Sequence, residues 1–132
     1  MKELLDKLLT LEKKLSAEKG DFILFALFLR EDAEDKWDLV VSASWLDAKK
    51  KESFEYLAGQ LKASFNIQEL LIISRIVILD EENPGLDAIA RALHAEHSMV
   101  QVRDSNFFGL QIKHAYIITS KVPMPIKKTK AG

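Results

Sequence analysis

Arg75 is the residue whose type and position most strongly suggest chemistry. It lies in the middle of a mostly apolar run from Leu71 to Ile78. A guanidinium is costly to bury unless it is paired, so this run requires a partner or an exposed edge. The structural explanations are an edge strand, a side chain that extends into water, or an ion pair with Asp38. The functional explanation is a bidentate contact to a carboxylate or phosphate, on a ligand or across a dimer.

His114 is a second candidate, on the last predicted strand. It alternates in register with Leu110 and Ile112, so we expect it on an apolar face. A histidine there is usually a core residue, whereas an acid or base needs a partner within hydrogen-bond distance. Together with Arg75 and Asp38, His114 completes the set of candidate ligand-binding residues, which would suit a small anion.

His94 and His97 are three residues apart near the end of a predicted helix, so both imidazoles can share one side of it. A zinc site needs at least a third ligand, and the H-E-x-x-H spacing is missing. Histidines near a helix C-terminus also stabilise the helix through its dipole. The chain contains no cysteine, which excludes disulfides, thiolate nucleophiles and cysteine-based metal centres. We therefore predict no metal, no cofactor and no catalytic residue.

Four aromatic residues are candidates for a protein interface. Trp37 and Trp45 bracket one predicted strand and should face the same side, where they either close the two ends of the core or contact a partner. Phe107 and Phe108 are adjacent in a strand, so their side chains point to opposite faces. One of those two rings is exposed unless another element covers it.

Motifs of several common enzyme classes are missing from the sequence. It has no phosphate-binding glycine loop, no G-x-G-x-x-G after a strand and no G-x-S-x-G nucleophile turn. A metal-dependent nuclease would pair an acid such as Asp38 with an E-x-K or D-x-K triplet on the next strand. That strand instead has Ser74-Arg75-Ile76 at its centre, so the sequence favours a non-catalytic protein.

Charge is distributed unevenly along the 132 residues. Residues 121–132 hold four lysines and no acid, which leaves 15 basic and 20 acidic groups, a charge of −5, in residues 1–120. An acidic body argues against a nucleic-acid-binding core, and four lysines give weak, salt-sensitive attraction to polyanions. No apolar run reaches the ~18 residues that span a bilayer. We expect no signal peptide at the N-terminus, because Glu3 and Asp6 interrupt its apolar stretch. We expect a cytoplasmic protein without membrane contact.

Hydrophobic periodicity predicts the elements that must position these residues. Leucines at positions 4, 8, 11 and 15 form a helical stripe over residues 2–18, and alternation from Trp37 to Trp45 predicts a strand with two distinct faces. The remaining predictions are strands at 22–29, 70–79, 99–103 and 108–120, a helix from an Asp47 cap to Phe65, a helix capped by Asn83, and a turn at 104–106.

The predicted order α-β-β-α-β-α-β-β implies an α/β fold. Each β-α-β step favours parallel neighbours and each β-β step favours an antiparallel hairpin, so one mixed five-stranded sheet with about three helices satisfies both. We expect a single domain over residues 1–120 and a flexible basic tail over residues 121–132.

The sequence predicts a non-catalytic protein-interaction or regulatory module that acts as a homodimer. The basis is a small sheet rich in large apolar residues, without a catalytic constellation. The alternative is a small anionic-ligand binder or an enzyme centred on Arg75. Nucleic-acid association through the lysine tail is a weaker alternative.

Overall fold

The computed structural model describes residues 1–32 and 35–122. Residues 123–132, most of the predicted tail, lie outside the described part of the chain. The described elements are α1 (Lys2–Lys19), β1 (Phe22–Arg30), β2 (Trp37–Ala43), α2 (Lys51–Ser64), α3 (Ile67–Ile72), β3 (Ile73–Ile78), α4 (Pro84–Ala92), β4 (Val100–Phe107) and β5 (Leu110–Ser120).

The five strands form one mixed sheet in the order β3-β2-β1-β5-β4. Strand β1 lies at the centre and pairs antiparallel with both β2 and β5. Strand β3 pairs parallel with β2, because α2 and α3 return the chain to the end of the sheet at which β2 begins. The prediction of a mixed five-stranded α/β sheet is therefore confirmed.

One core lies between the sheet and helices α1 and α2. The leucine stripe of α1 is buried there, as its helical spacing predicts, beside Leu57 and Leu61 of α2. The sheet contributes Phe22, Phe25 and Leu27 from β1, with Leu39 and Val41 from β2.

A second core lies on the opposite face of the sheet, where α4 covers it. Leu24, Ala26 and Phe28 of β1 point to this side, so β1 is buried on both faces, as its unbroken apolar run predicts. Helix α4 begins as predicted, because Pro84 is its first residue and the Asn83 side chain accepts a hydrogen bond from the Gly85 N–H at 2.8 Å.

Helix α3 is absent from the predicted order. Its start is marked by a capping box, in which Asn66 and Glu69 exchange side-chain to backbone hydrogen bonds of 2.8 and 2.9 Å. Because α3 ends at Ile72, β3 is six residues long, shorter than the predicted strand at 70–79. The Asn66-x-x-Glu69 spacing was the available signal for this helix.

Two local predictions are wrong. The hairpin between β4 and β5 turns at Phe108 and Gly109, not at residues 104–106, because both turn residues adopt positive φ, 56° and 77°. Asp47 does not cap α2: its carboxylate accepts a hydrogen bond from the Lys49 N–H at 2.9 Å, and the helix starts after Lys50 without a side-chain cap.

Candidate functional site

Asp38 and Arg75 meet in an ion cluster that a third residue, Arg30, completes. Asp38 and Arg75 are register partners on the parallel strands β2 and β3, which places their side chains next to each other. Arg75 reaches Asp38 through Nε at 3.2 Å and through Nη2 at 3.2 Å. Arg30 adds Nε at 3.1 Å from the same carboxylate and also contacts Asp32 at 3.2 Å. Two guanidinium groups therefore share one buried carboxylate.

The ion cluster supplies the partner that Arg75 requires inside an apolar strand. The Asp38 side chain is 5% exposed, whereas that of Arg75 is 52% exposed, so the arginine covers the acid while its outer edge meets solvent. Of the two explanations from sequence, the structural ion pair is thus present. Sequence reasoning missed Arg30, whose position at the end of β1 gave no sign of its partner.

His114 lies apart from the ion cluster. Its ring packs against Trp37 and Tyr116, at centroid distances of 5.6 and 4.6 Å, on the α1 side of the sheet. Ile112, by contrast, belongs to the core under α4, because the β1–β5 pairing is irregular between the two residues. Within the described residues, the buried Nε2 of His114 has no hydrogen-bond partner. The three candidate ligand-binding residues therefore do not form one site.

Burial of His114 predicts a loss of stability in mild acid. Burial, together with the charge of Arg103, lowers the pKa of His114 below its ordinary value of 6.5. The unfolded chain therefore takes up a proton more readily than the folded chain, and stability present above pH 6.5 falls as the pH drops below it. We expect the free energy of unfolding, measured with urea, to change less between pH 7.5 and pH 5 in H114F than in the wild type. The variant H94Q, at an exposed histidine, is the control. If the free energy of unfolding of H114F depended on pH as strongly as that of the wild type, this account would be contradicted.

The four aromatic candidates pack largely within the chain. Trp37 is buried, and Trp45 donates from Nε1 to the Gly20 carbonyl at 2.8 Å and contacts Phe22 and Tyr56. On the α4 side, Phe107 stacks on Phe28 at a centroid distance of 5.4 Å. Phe108 lies against Gly85, where an added Cβ would collide with its ring.

A buried carboxylate on α1 forms a second polar cluster, which sequence reasoning missed. Glu12 is completely buried, and His97 Nδ1 lies 2.9 and 3.0 Å from its two oxygens. The hydroxyls of Thr119 and Ser16 also donate to Glu12, at 2.7 and 3.2 Å. Both hydroxyls thus hold the Glu12 carboxylate, and Thr119, like Glu12, is completely buried. Its structural effect is to join α1, β5 and the loop before β4.

Beside His97, an exposed ion network joins the end of β5 to the start of β1. Lys121 lies 2.9 Å from Glu96 and 3.0 Å from Asp21. The hydrogen bond from Lys121 lowers the pKa of Glu96. Burial alone would lower the pKa of Lys121, but the two carboxylates outweigh it and raise that pKa. Within the residues that the structure describes, no three acidic or histidine side chains converge in a way that could hold a metal ion.

The outer edge of β3 carries an apolar groove of about 390 Å³. Helix α2 forms one wall through Phe54, Ala58, Leu61 and Lys62, and α3 and β3 form the other through residues 70 and 73–76. Next to the groove, Ile67 and Leu71 of α3 are each 74% exposed, the highest exposure among the large apolar residues that the structure describes. We call the groove with these two side chains the β3 edge surface.

Backbone groups of β3 are also open at this edge. The Leu79 N–H donates to the Val41 carbonyl on β2. Because the backbone N–H and C=O groups of successive residues in a strand point to opposite sides, those of Ile76 and Ile78 point outward, away from β2. In the described part of the sheet, β3 has β2 as its one neighbour.

The opposite edge of the sheet differs in chemistry. Strand β4 presents Gln101, Arg103, Asp104 and Asn106, which are all exposed. Charged and polar residues on an edge strand discourage pairing with another chain, whereas β3 has only Ser74 and Arg75 among four aliphatic residues. Of the two sheet edges, β3 is therefore the one suited to association.

No protein-family model matches the chain. Searches of the curated proteins and of the solved structures also found no match. None of the helices in residues 1–32 and 35–122 is long and apolar enough to cross a membrane.

Proposed function

We propose that this chain is a non-catalytic protein-interaction module that acts as a homodimer through the β3 edge surface. The observation that supports the proposal is the contrast between the two sheet edges. The β3 edge surface combines open backbone groups with an apolar groove and two protruding aliphatic side chains of α3, whereas the exposed side chains of β4 are the polar ones of Gln101, Arg103, Asp104 and Asn106. An edge of the first kind tends to pair with another strand.

A second copy of the chain suits this surface because the surface is self-complementary. A two-fold interface requires that each copy offer both the protruding part and the recess. The β3 edge surface offers Leu71 as a protruding group and the groove beside it as a recess. In each copy, Phe54 lies at the end of the groove opposite to α3. Antiparallel pairing of two β3 strands would bring α3 of one copy to this Phe54 end of the partner's groove. The two sheets would then continue as one sheet of ten strands.

The ion cluster makes this edge compatible with burial. Arg75 is the charged residue of β3, and it is paired with Asp38 within the same chain. Arg30, on the far side of Asp38, holds the carboxylate in place without reaching the edge. An edge strand whose charge is already paired can associate with its copy at a lower desolvation penalty than a strand with a free charge.

The variant L71E tests the dimer. We expect the wild type at micromolar concentration to have a mass near twice 15.0 kDa. Because each dimer would bury two introduced carboxylates, L71E should weaken association by at least about 100-fold and appear as a monomer. Size-exclusion chromatography with light scattering measures both masses.

The matched control is L110E, since Leu110 is 44% exposed at the turn between β4 and β5, away from β3. It should remain a dimer. A monomeric wild type would overturn the proposed function, and a dimeric L71E would place the interface elsewhere on the protein.

A further inference from the structure

The direction of the backbone groups of β3 limits how two copies of the strand can pair. The Leu79 N–H is bonded to β2, so alternation along the strand directs the N–H and C=O groups of Ser74, Ile76 and Ile78 away from β2. In an antiparallel pair, a residue with outward groups must lie opposite another such residue, because the two exchange hydrogen bonds. Two β3 strands therefore have a small set of possible registers.

These registers differ in the number of hydrogen bonds that they form. With Ile76 opposite the partner's Ile76, Ser74 lies opposite Ile78, and all of the outward groups of both strands are paired. A shift of one strand by two residues leaves a residue of β3 without a strand partner. It sets either Ile78 opposite Ile72 or Ser74 opposite Asp80, and both of these partners lie outside β3. The register centred on Ile76 is therefore favoured by hydrogen bonding.

The charge of Arg75 favours the same register. In the shifted register that sets Ser74 opposite Ile76, the two Arg75 residues lie directly opposite each other with Cα atoms about 4.5 Å apart, and like charges in such a pair are destabilising. In the register centred on Ile76, each Arg75 lies opposite the partner's Val77 instead. Asp38, at 3.2 Å, draws each guanidinium toward β2 and away from the partner strand. The apolar stem of Arg75 is then free to pack against Val77.

We infer that Arg75 sets the register of the homodimer, with the two-fold axis midway between the two Ile76 residues and each Arg75 opposite the partner's Val77. The inference rests on the proposed homodimer and deepens it. Ile76 also lines the apolar groove, so an axis at this residue brings the grooves of the two copies side by side. Besides its ion pair with Asp38, Arg75 then has a second role, which is to exclude the shifted register in which the two arginines meet.

Charges introduced at Val77, which is partly exposed, test its contact with Arg75. V77E places a carboxylate opposite each Arg75 and V77K an ammonium group, so we expect the dimer Kd of V77K to exceed that of V77E by about tenfold at low salt. In the R75Q background, where Arg30 still pairs with Asp38, the same two substitutions should give Kd values within about threefold of each other. Analytical ultracentrifugation gives the Kd values. Equal Kd values for V77E and V77K in the presence of Arg75 would overturn the inference.

Cross-linking tests the register directly. The chain lacks cysteine, so single-cysteine variants report on one position each. I76C should form a disulfide-linked dimer under mild oxidation, because opposed residues that exchange hydrogen bonds have Cα atoms about 5.5 Å apart, within the range that a disulfide spans. S74C is the matched control on the same strand, since its two copies would lie about 14 Å apart along the paired strands. Faster cross-linking of S74C than of I76C would place the axis elsewhere and overturn the inference.

The outcomes separate this inference from the proposed function. A wild-type dimer that L71E dissociates, combined with no cross-link at I76C, removes the register and leaves the β3 interface intact. A monomeric wild type removes both.

Discussion

Replacement of His97 with alanine should lower the free energy of unfolding by about 2 kcal/mol, the low end of what removal of one hydrogen-bond partner from a buried charged group costs. Glu12 is completely buried, and without His97 it retains only the hydroxyls of Thr119 and Ser16 as hydrogen-bond donors. Two neutral donors do not compensate a carboxylate charge in the interior. We expect the low end of the range because the His97 side chain is 34% exposed, which lets water reach the vacated space. Urea unfolding at pH 7 and fixed protein concentration measures the loss.

Two further variants identify the cause of this loss. H94A removes an exposed histidine three residues away and should change stability by less than about 0.5 kcal/mol. The double variant E12Q/H97A no longer carries a buried charge and should recover part of the loss, because an amide is easier to bury than a carboxylate. If H97A were as stable as H94A, the pair would contribute nothing, and Glu12 would have to be held by its hydroxyl partners alone.

Replacement of Phe28 with alanine should lower the free energy of unfolding by about 3–4 kcal/mol, the usual cost of removing a buried phenylalanine ring. Phe28 is buried in the core under α4, where it stacks on Phe107 and lies 6.4 Å from the ring of Phe108. That core is covered by a helix of nine residues, so little material is available to close the cavity. Urea unfolding again measures the effect, and F28L should lose only about 1 kcal/mol, since it keeps most of the volume.

The variant F107A separates a core role for Phe107 from an interface role. Its ring is partly exposed, so we expect a smaller loss than in F28A, about 1–2 kcal/mol. Phe107 lies on β4, at the opposite edge of the sheet from β3, so the dimer Kd should stay unchanged. A large change in Kd with little change in stability would instead assign Phe107 to an interface.

Much of the fold was predictable because local patterns agreed with the tertiary arrangement. The leucine stripe of α1 faces the core, and the unbroken apolar run of β1 occupies the centre of the sheet. Helix α3 was missed because its six residues carry too little periodicity, although Asn66 and Glu69 mark its start. The turn at Phe108 and Gly109 was missed because phenylalanine rarely adopts positive φ, and Asp104 next to Ser105 and Asn106 looked more typical of a turn.

The clusters were harder to predict than the elements. Asp38 and Arg75 could be paired from sequence, because both stand out in apolar strands of a predicted sheet. Glu12 and His97 could not, since 85 residues separate them and contact depends on how α1 and the loop before β4 meet over β5. The β3 edge surface was equally hidden, because the order of the strands decides which edge stays open.

The central position of β1 has a consequence for folding during synthesis. Strand β1 is the most apolar strand, and one of its two neighbours, β5, is the last strand that the structure describes. While the chain emerges from the ribosome, the β1–β2 hairpin can form early, but the other side of β1 stays unpaired until residues 110–120 have been made. An unpaired apolar strand attracts other chains. The growing chain is therefore most prone to aggregation between the synthesis of β2 and that of β5.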